Sequence, residues 1–383
     1  MGHYVTAAEA ADFGNPRFAL RDYRAERQIA APRKTFDTCR VRNSFSDEFF
    51  MRHALIEARK SIGQTSPNPA VGAVLVANKK IIARGHHRGA GLLHGEIECL
   101  QNVSGKIPRN ASLYVTLEPC STAGRTPPCT DAIIRAGVKR VVIGTIDVNP
   151  VHAGRAIDYL RTAGVDVTSG VLSDECTRLN EAFNKWIVTR RPFVIAKCGM
   201  SLDGRLTRRP GEPRSITSPA ARQHAQQLRA YVDAILIGAE TLRQDNPRLT
   251  VRGVPGAKQP WRVVITRSGK LPPGAHLLTD RFAQRTLIYR QKSLDFVLRD
   301  LGRKKITSVL IEGGGEMLGQ FFDQRLVDKI EFYVAPMLSG GPVLAVPGTG
   351  ADKTANSIRL GDIRFQRIGF DISVAGYPIY PLK

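Results

Sequence analysis

His94-Gly95-Glu96, then Glu118-Pro119-Cys120, then Pro127-Pro128-Cys129: the stretch from residue 94 to residue 129 decides how the rest of the chain is read. One imidazole and two thiolates fill three corners of a tetrahedral zinc site, and an open fourth corner marks a catalytic site rather than a structural one. His94, Cys120 and Cys129 are therefore the expected ligands of a single Zn²⁺. Glu96, two residues beyond the histidine, is the expected catalytic proton carrier. The cysteines lie further apart than in a Cys-x-x-Cys motif, so the reading rests on the coincidence of three ligands, a spare carboxylate and two Pro-Cys steps. The competing reading makes His94 a helix-surface residue and the cysteines small buried hydrophobes.

Working outward, Ser46 caps an amphipathic helix carrying Phe49, Phe50, Ala54, Leu55, Ala58 and Ile62, with Gly63 as its stop. Val71 to Ala77 and Ile81 to Ala83 read as a hairpin turning at Asn78-Lys79. His94 opens a helix, Leu113 to Leu117 is a buried strand delivering Cys120, and Cys129 opens a helix stopped by Gly137. A helix N-terminus favours a thiolate. With strand Val141 to Ile146, helix Ile157 to Thr162 and a helix around Leu179 to Val188, the order describes a three-layer α/β/α domain over residues 45–190. Arg190-Arg191-Pro192 breaks the pattern. A second α/β alternation, residues 191–383, follows: strand Phe193 to Cys198, helix Pro219 to Tyr231, strands Ala234 to Ile237, Arg262 to Thr266, Thr286 to Tyr289 and Ser308 to Ile311, helix Glu316 to Phe322, strand Lys329 to Ala335. Glu312-Gly313-Gly314-Gly315 lies between a strand and a helix, where backbone N–H groups and the helix dipole suit an anion; a simple tight turn explains the same residues.

The 383 residues accommodate two or three domains, and their composition is that of a core-forming protein. No apolar run spans a bilayer and the start lacks a signal-peptide core, so a cytoplasmic protein without a membrane partner is expected. Residues 1–44 show no period and are expected to be a poorly ordered extension, or to precede the true start. Cys99, Cys176 and Cys198 read as core thiols, and Cys39 lies in the extension. The net charge of +22 attracts anions, nucleic acid or phosphorylated metabolites; no Lys/Arg block or aromatic-interleaved basic stripe supports nucleic acid.

Zinc deaminases of nucleobases carry this His-x-Glu and Pro-Cys constellation, the glutamate not being a ligand. TSPNPAVGAV (65–74), HGE (94–96), TLEPC (116–120), GRTPPC (124–129), RPFVIAKCGMSLDGR (191–205), DNPRLTVR (245–252), IEGGGEML (311–318) and LVDKIEFYVAP (326–336) extend the likeness. From about Asp47 onward the chain resembles the bifunctional riboflavin-biosynthesis proteins of RibD type, which join a pyrimidine deaminase to a reductase. The resemblance implies a cytidine-deaminase-like first domain and a dihydrofolate-reductase-like second. It implies zinc-dependent deamination of a diaminopyrimidinone bearing ribose 5-phosphate, then NADPH-dependent reduction of that ribose to a ribityl chain. It places Asn68 against the deaminase substrate. Gly199, Ser215, Thr241, Asp245 and the run Gly314, Gly315, Glu316, Met317, Leu318, Gly319 and Gln320 match NADPH-contacting positions. Arg229, Leu249, Arg252 and Glu312 match positions around the sugar phosphate, and a guanidinium fork suits phosphate oxygens. Asp203 is either a turn residue or part of the site.

The chain also departs from the family pattern. Gly95 replaces an alanine, which is expected to perturb the helix start without removing a ligand. Ser121-Thr122-Ala123 replaces a Ser-His-His loop, Val148 replaces a proline, and Pro213-Arg214-Ser215 lacks the usual serine and tryptophan. These changes leave open a divergent paralogue acting on a related pyrimidine or purine, or one with only the reductase half active. The expected partners are a phosphorylated pyrimidine and further copies of the chain in a homo-oligomer.

Overall fold

The computed structural model describes residues 46–122, 127–206 and 216–381. The extension 1–44 with Cys39, the loop residues Ala123, Gly124 and Arg125, and Pro213, Arg214 and Ser215 lie outside the described residues. Phe45–Lys383 forms one compact unit built on two sheets. Among the described residues no helix is long and apolar enough to cross a membrane.

Helix α1 (Asp47–Arg59) starts where Ser46 Oγ accepts the Phe49 N–H at 3.3 Å, and ends three residues short of the expected Ile62. Strands β1 (Gly72–Ala77) and β2 (Lys80–His86) form the expected hairpin. Asn78 and Lys79 both take left-handed backbone angles, φ 49° and 62°, the twist a two-residue hairpin turn requires. Strand β3 (Ser112–Leu117) pairs antiparallel with β1, and β4 (Arg140–Thr145) and β5 (Asp166–Ser169) follow in parallel, giving the order β2-β1-β3-β4-β5. Period-two alternation divides the two faces. Val74, Val76, Tyr114 and Val142 pack under Phe50, Met51 and Leu55 of α1 and Cys176 of α5 (Ser173–Leu179). On the opposite face Ala73, Leu75, Leu113, Val115, Val141 and Ile143 pack under α2 (Gly95–Gln101), α3 (Cys129–Arg135) and α4 (Arg155–Thr162) through Cys99, Ile133, Ile157 and Leu160. The result is the three-layer arrangement. The helical segment near Leu179 resolves into α5 and α6 (Glu181–Thr189), the latter closed by Arg190 at φ 58°.

The second sheet carries β6 (Phe193–Ser201), β7 (Ala234–Gly238), β8 (Trp261–Thr266), β9 (Thr286–Arg290), β10 (Ser308–Ile311), β11 (Lys329–Ala335), β12 (Arg359–Ile368) and β13 (Asp371–Ile379), in the order β12-β13-β11-β6-β10-β7-β8-β9. The six strands β6 to β11 run parallel, and β13 and β12 add an antiparallel edge. The intervening helices are α7 (Pro219–Tyr231), α8 (Ala239–Asp245), α9 (His276–Thr279), α10 (Leu294–Arg303) and α11 (Gly315–Asp323). The sequence reading missed β5, α8, α9, α10 and the β12–β13 hairpin. Helix α10 was legible: Leu294, Val297, Leu298 and Leu301 are buried at helical spacing. Strand β12 was not, because charged side chains interrupt its exposed face.

The two sheets are joined by polar contacts. Asp233 Oδ2 accepts from Ser66 Oγ (2.6 Å) and from the Thr307 N–H (2.6 Å), and Glu181 binds Lys329 Nζ (2.7 Å) and Tyr377 Oη (2.6 Å). Trp186 Nε1 donates to the Gly302 carbonyl at 2.9 Å. A Cβ at Gly302 would fall deep inside the van der Waals radius of the Arg190 carbonyl oxygen, so helix α10 docks only because residue 302 has no side chain. Gly302→Ala is expected to cost about 1–3 kcal/mol of unfolding free energy, read from the urea midpoint. An unchanged midpoint would mean that this contact is not held in solution.

Candidate active sites

Each member of the first site arrives from the end of a regular element. His94 is the N-cap residue of α2, and Glu96 lies in the first turn. Cys120 follows the carboxyl end of β3, and Cys129 is the first residue of α3. His94 Nδ1 lies 3.2 Å from Cys129 Sγ and 3.6 Å from Cys120 Sγ, and all three ligand atoms sit within 4.8 Å of one another. Tetrahedral zinc with ordinary Zn–S and Zn–N bonds separates nitrogen from sulfur by about 3.5 Å. The donor set therefore fits zinc in kind and in spacing. Gly95 leaves the helix start intact, contrary to the expected perturbation; without a Cβ, it lets the Val71 carbonyl approach closely.

The electrostatics suit a cation. The Cys129 thiol donates to Cys120, and this hydrogen bond, with that of His94, holds Cys120 down to about 4; the same bond and burial push Cys129 up. Metal binding takes both sulfurs as thiolates and so releases any proton they carry. Glu96 is 3 % exposed; burial pushes its carboxyl up to about 7 against the opposing pull of His94, and its Oε2 has no hydrogen-bond partner. An orphaned carboxylate oxygen beside a ligand cluster is poised to take a proton from a bound water. Cys99, Cys176 and Cys198 are buried thiols that desolvation raises to about 12, 12 and 11, in keeping with core packing.

A cavity of about 520 Å³ opens on this cluster. Asn68 lies on its wall with its Nδ2 3.1 Å from His87 Nε2. His87 Nδ1 is 2.8 Å from the Leu93 carbonyl, which only accepts, so Nδ1 carries the proton and Nε2 accepts from Asn68. Burial lowers the His87 pKa, in keeping with a neutral ring. His86 turns away to Glu57 and Glu98. Sequence reasoning did not assign His87 this positioning role, nor did it find Glu118 and Asn180. Glu118 accepts the N–H groups of Asp147, Gly154 and Ala156 and so pins the loop after β4. Asn180 clasps Ala70 through both its N–H (2.8 Å) and its carbonyl (2.9 Å). Glu118 stood inside the quoted TLEPC segment, whereas nothing in the sequence marks Asn180.

The second site collects at the carboxyl ends of β6, β10 and β7, neighbours in the sheet, where parallel α/β sheets bind ligands. Gly199 lies on β6, Glu312 directly follows β10, and Thr241 and Asp245 lie on α8 just after β7. Thr241 Oγ1 accepts the Gly314 N–H at 3.0 Å, which fixes the start of α11. Gly313, Gly314 and Gly315 leave the following first-turn N–H groups uncovered by side chains, and these suit the phosphates of a dinucleotide. The run 314–320 divides, however: Glu316 faces solvent, whereas Leu318 is fully buried and Gly319 packs against the Pro347 carbonyl. Leu249 has a buried side chain and φ 49°, so what it offers a ligand is backbone. Arg229 is not a free phosphate fork. Its Nε and Nη2 bind both oxygens of Glu312 at 2.6 and 2.7 Å, and its Nη1 donates to the Thr250 carbonyl. Burial raises the Glu312 carboxyl, but Arg229, helped by Lys197 and Arg252, overrides it and holds the group at about 2. Lys197 also lies over the Tyr333 ring, 5.8 Å from its centre; the sequence reading missed it. Arg252 is exposed beside this pair. Asp203 accepts from Ser201 Oγ and from the N–H groups of Ser339 and Gly340, bonds that hold it at about 2; it organises a turn.

A zinc-type deaminase centre on one sheet and a cofactor-type α/β half on the other describe a hydrolase joined to an oxidoreductase in one polypeptide. Comparison with known proteins agrees. Residues 44–145 match the cytidine and deoxycytidylate deaminase zinc-binding region, and residues 192–374 match the RibD C-terminal domain. The riboflavin biosynthesis protein RibD of Synechocystis sp. is 39% identical over 87% of this chain and 96% of its own; that of Escherichia coli K12 is 36% identical over 85% and 98%. The structure of Acinetobacter baumannii RibD superposes with a TM-score of 0.80 at 33% identity, covering 87% of this chain and 99% of that one. The chain belongs to the RibD family of bifunctional riboflavin-biosynthesis enzymes, with a zinc-binding deaminase half and an NADPH-type reductase half.

Proposed function

We propose that residues 45–190 deaminate 2,5-diamino-6-(5-phosphoribosylamino)pyrimidin-4(3H)-one and that residues 191–383 then reduce the ribosyl side chain of the product to ribityl. The observation that carries the first step is the buried, unpartnered Glu96 oxygen beside His94, Cys120 and Cys129 on a ligand-sized cavity. A Thermotoga maritima relative, 31% identical with a TM-score of 0.78, is described as a diaminohydroxyphosphoribosylaminopyrimidine deaminase and 5-amino-6-(5-phosphoribosylamino)uracil reductase.

In this reading His94, Cys120 and Cys129 hold the zinc, which supplies Lewis-acid activation of water. Asn68, held by neutral His87, orients the pyrimidine ring. Glu96 Oε2 takes the proton of the attacking water and returns it to the leaving amine, and ammonia departs. Burial of Glu96 limits competition from bulk water for that proton. In the reductase half, NADPH supplies the hydride. The first turn of α11, with Thr241, Asp245, Gly199 and Ser215, binds the cofactor. Arg252 faces the sugar phosphate, and the Arg229–Glu312 pair gives that wall its shape and charge.

The chain works as a homo-oligomer: Ile363, Phe365, Phe370 and Ile372 on the β12–β13 edge expose apolar surface that a second copy covers. Its free thiols suit a reducing compartment, the cytoplasm. A second reading, a related pyrimidine or purine as deaminase substrate, is favoured by Thr122, which lines the cavity where the family places an imidazole.

The test is ammonia release by zinc-loaded protein from the named substrate, without NADPH. Removing zinc with a chelator is expected to abolish ammonia release and to leave NADPH oxidation on the deaminated substrate unchanged, because no reductase residue belongs to the ligand cluster. No release despite stoichiometric zinc would overturn the substrate assignment in favour of the second reading.

A further inference from the structure

We propose that Lys305, a residue of the second half, is the phosphate-recognising cation of the deaminase cavity in the first half. The cavity is lined mainly by residues of the first half, with Lys305 reaching it from the segment between α10 and β10. It is the one lysine or arginine among the described lining residues. The carboxylates on the lining, Glu96, Glu118 and Asp147, cluster with the metal ligands and the carboxyl ends of β3 and β4. A phosphate dianion is repelled from that end. It is drawn toward the end where α6 contributes Phe183, Trp186 and Ile187 and where Lys305 supplies the positive charge. Lysine serves phosphate as a compact point charge.

The position of Lys305 is built. The Gly302 carbonyl accepts both the Trp186 indole N–H (2.9 Å) and the Lys305 backbone N–H (3.0 Å), so one oxygen ties the cavity wall to the residue that carries the cation. Lys305 is held there at φ 60°. Its neighbours are engaged: Arg303 and Lys304 both bind Asp300, at 3.2 and 3.6 Å. Lys305 forms no ion pair among the described residues. Substrate recognition by the deaminase therefore depends on the reductase half being docked, which gives the fusion of the two halves a physical purpose.

The proposal rests on the deaminase reading above and is tested separately from it, because wild-type turnover establishes that reading first. Ammonia release is measured in the full zinc-loaded chain with the phosphoribosyl substrate and with its dephosphorylated riboside, for wild type, Lys305→Gln, Lys305→Glu and Lys305→Arg. Lys305→Gln is expected to raise KM for the phosphorylated substrate about tenfold, with kcat little changed. KM for the riboside stays as in wild type. Lys305→Glu raises the phosphorylated KM further, and Lys305→Arg restores it. Added salt raises the wild-type KM more than that of Lys305→Gln. An unchanged KM for the phosphorylated substrate would overturn the proposal. So would an equal rise for both substrates, since that would make Lys305 a spacer between the halves.

Discussion

Glu96→Gln lowers the rate of ammonia release by roughly a thousandfold, the range general acid–base catalysis contributes when its carrier is removed. The amide fills the same buried space, so the cluster of His94, Cys120 and Cys129 is undisturbed and zinc remains stoichiometric. NADPH oxidation by the other half is unaffected. The size of the effect follows from the surroundings of Glu96: its Oε2 is buried and has no other partner, and the other carboxylates on the cavity lining, Glu118 and Asp147, are not free to replace it. Glu118 is committed to three backbone N–H groups, and the Asp147 carboxyl accepts the Asn149 N–H. The measurement is single-turnover ammonia release together with metal content. Retained activity with full zinc would show that another group carries the proton.

Arg229→Ala is the second large effect. It leaves the Glu312 carboxylate buried without its partner, and breaking a buried ion pair from one side costs about 3–5 kcal/mol. Reductase activity and unfolding free energy fall together, while deamination by the surviving folded protein persists. The pair also sets an acid limit. Glu312 has its ordinary pKa near 4.5 in the unfolded chain and about 2 in the folded one. Its contribution is therefore fully present above about 4.5 and is lost as pH falls through that value toward about 2. Urea midpoints followed down the acid limb should show the wild-type advantage over Glu312→Gln shrinking in that window. A difference that stays constant with pH would mean that Glu312 does not bind fewer protons in the folded state.

The two halves were not equally legible. Every member of the His94, Cys120 and Cys129 cluster could be named from the chain, because a metal demands particular atoms, histidine nitrogen and cysteine sulfur, and those residue types are scarce. The hairpin at Asn78-Lys79, the cap at Ser46 and the helix start at Pro219 were readable because local backbone geometry dictates them. Apart from the Glu312-Gly313-Gly314-Gly315 turn, the reductase residues came only through resemblance, and the structure changed the meaning of several. Arg229 reads as a phosphate fork in sequence and is an internal ion pair in the fold. Leu318 and Gly319 sit in a run that reads as a cofactor loop, yet they face the core, since a helix turns every third or fourth side chain inward. His87, on the cavity wall, stood out only as a loop histidine able to touch a ligand, and Asn180, which clasps the Ala70 backbone, carried no signal at all.

The sequence by itself determined the chemistry of the first half, the α/β alternation of both halves and the family, because these depend on residue types and on periods of two and three to four. Only the tertiary structure decided which polar groups are paired and which are left free. One oxygen of Glu96 stands orphaned, Glu312 is paired with Arg229, and Lys305 crosses from one half to the wall of the other half's cavity. Those facts depend on contacts between residues far apart in the chain, where burial removes water and the nearest partner sets the charge.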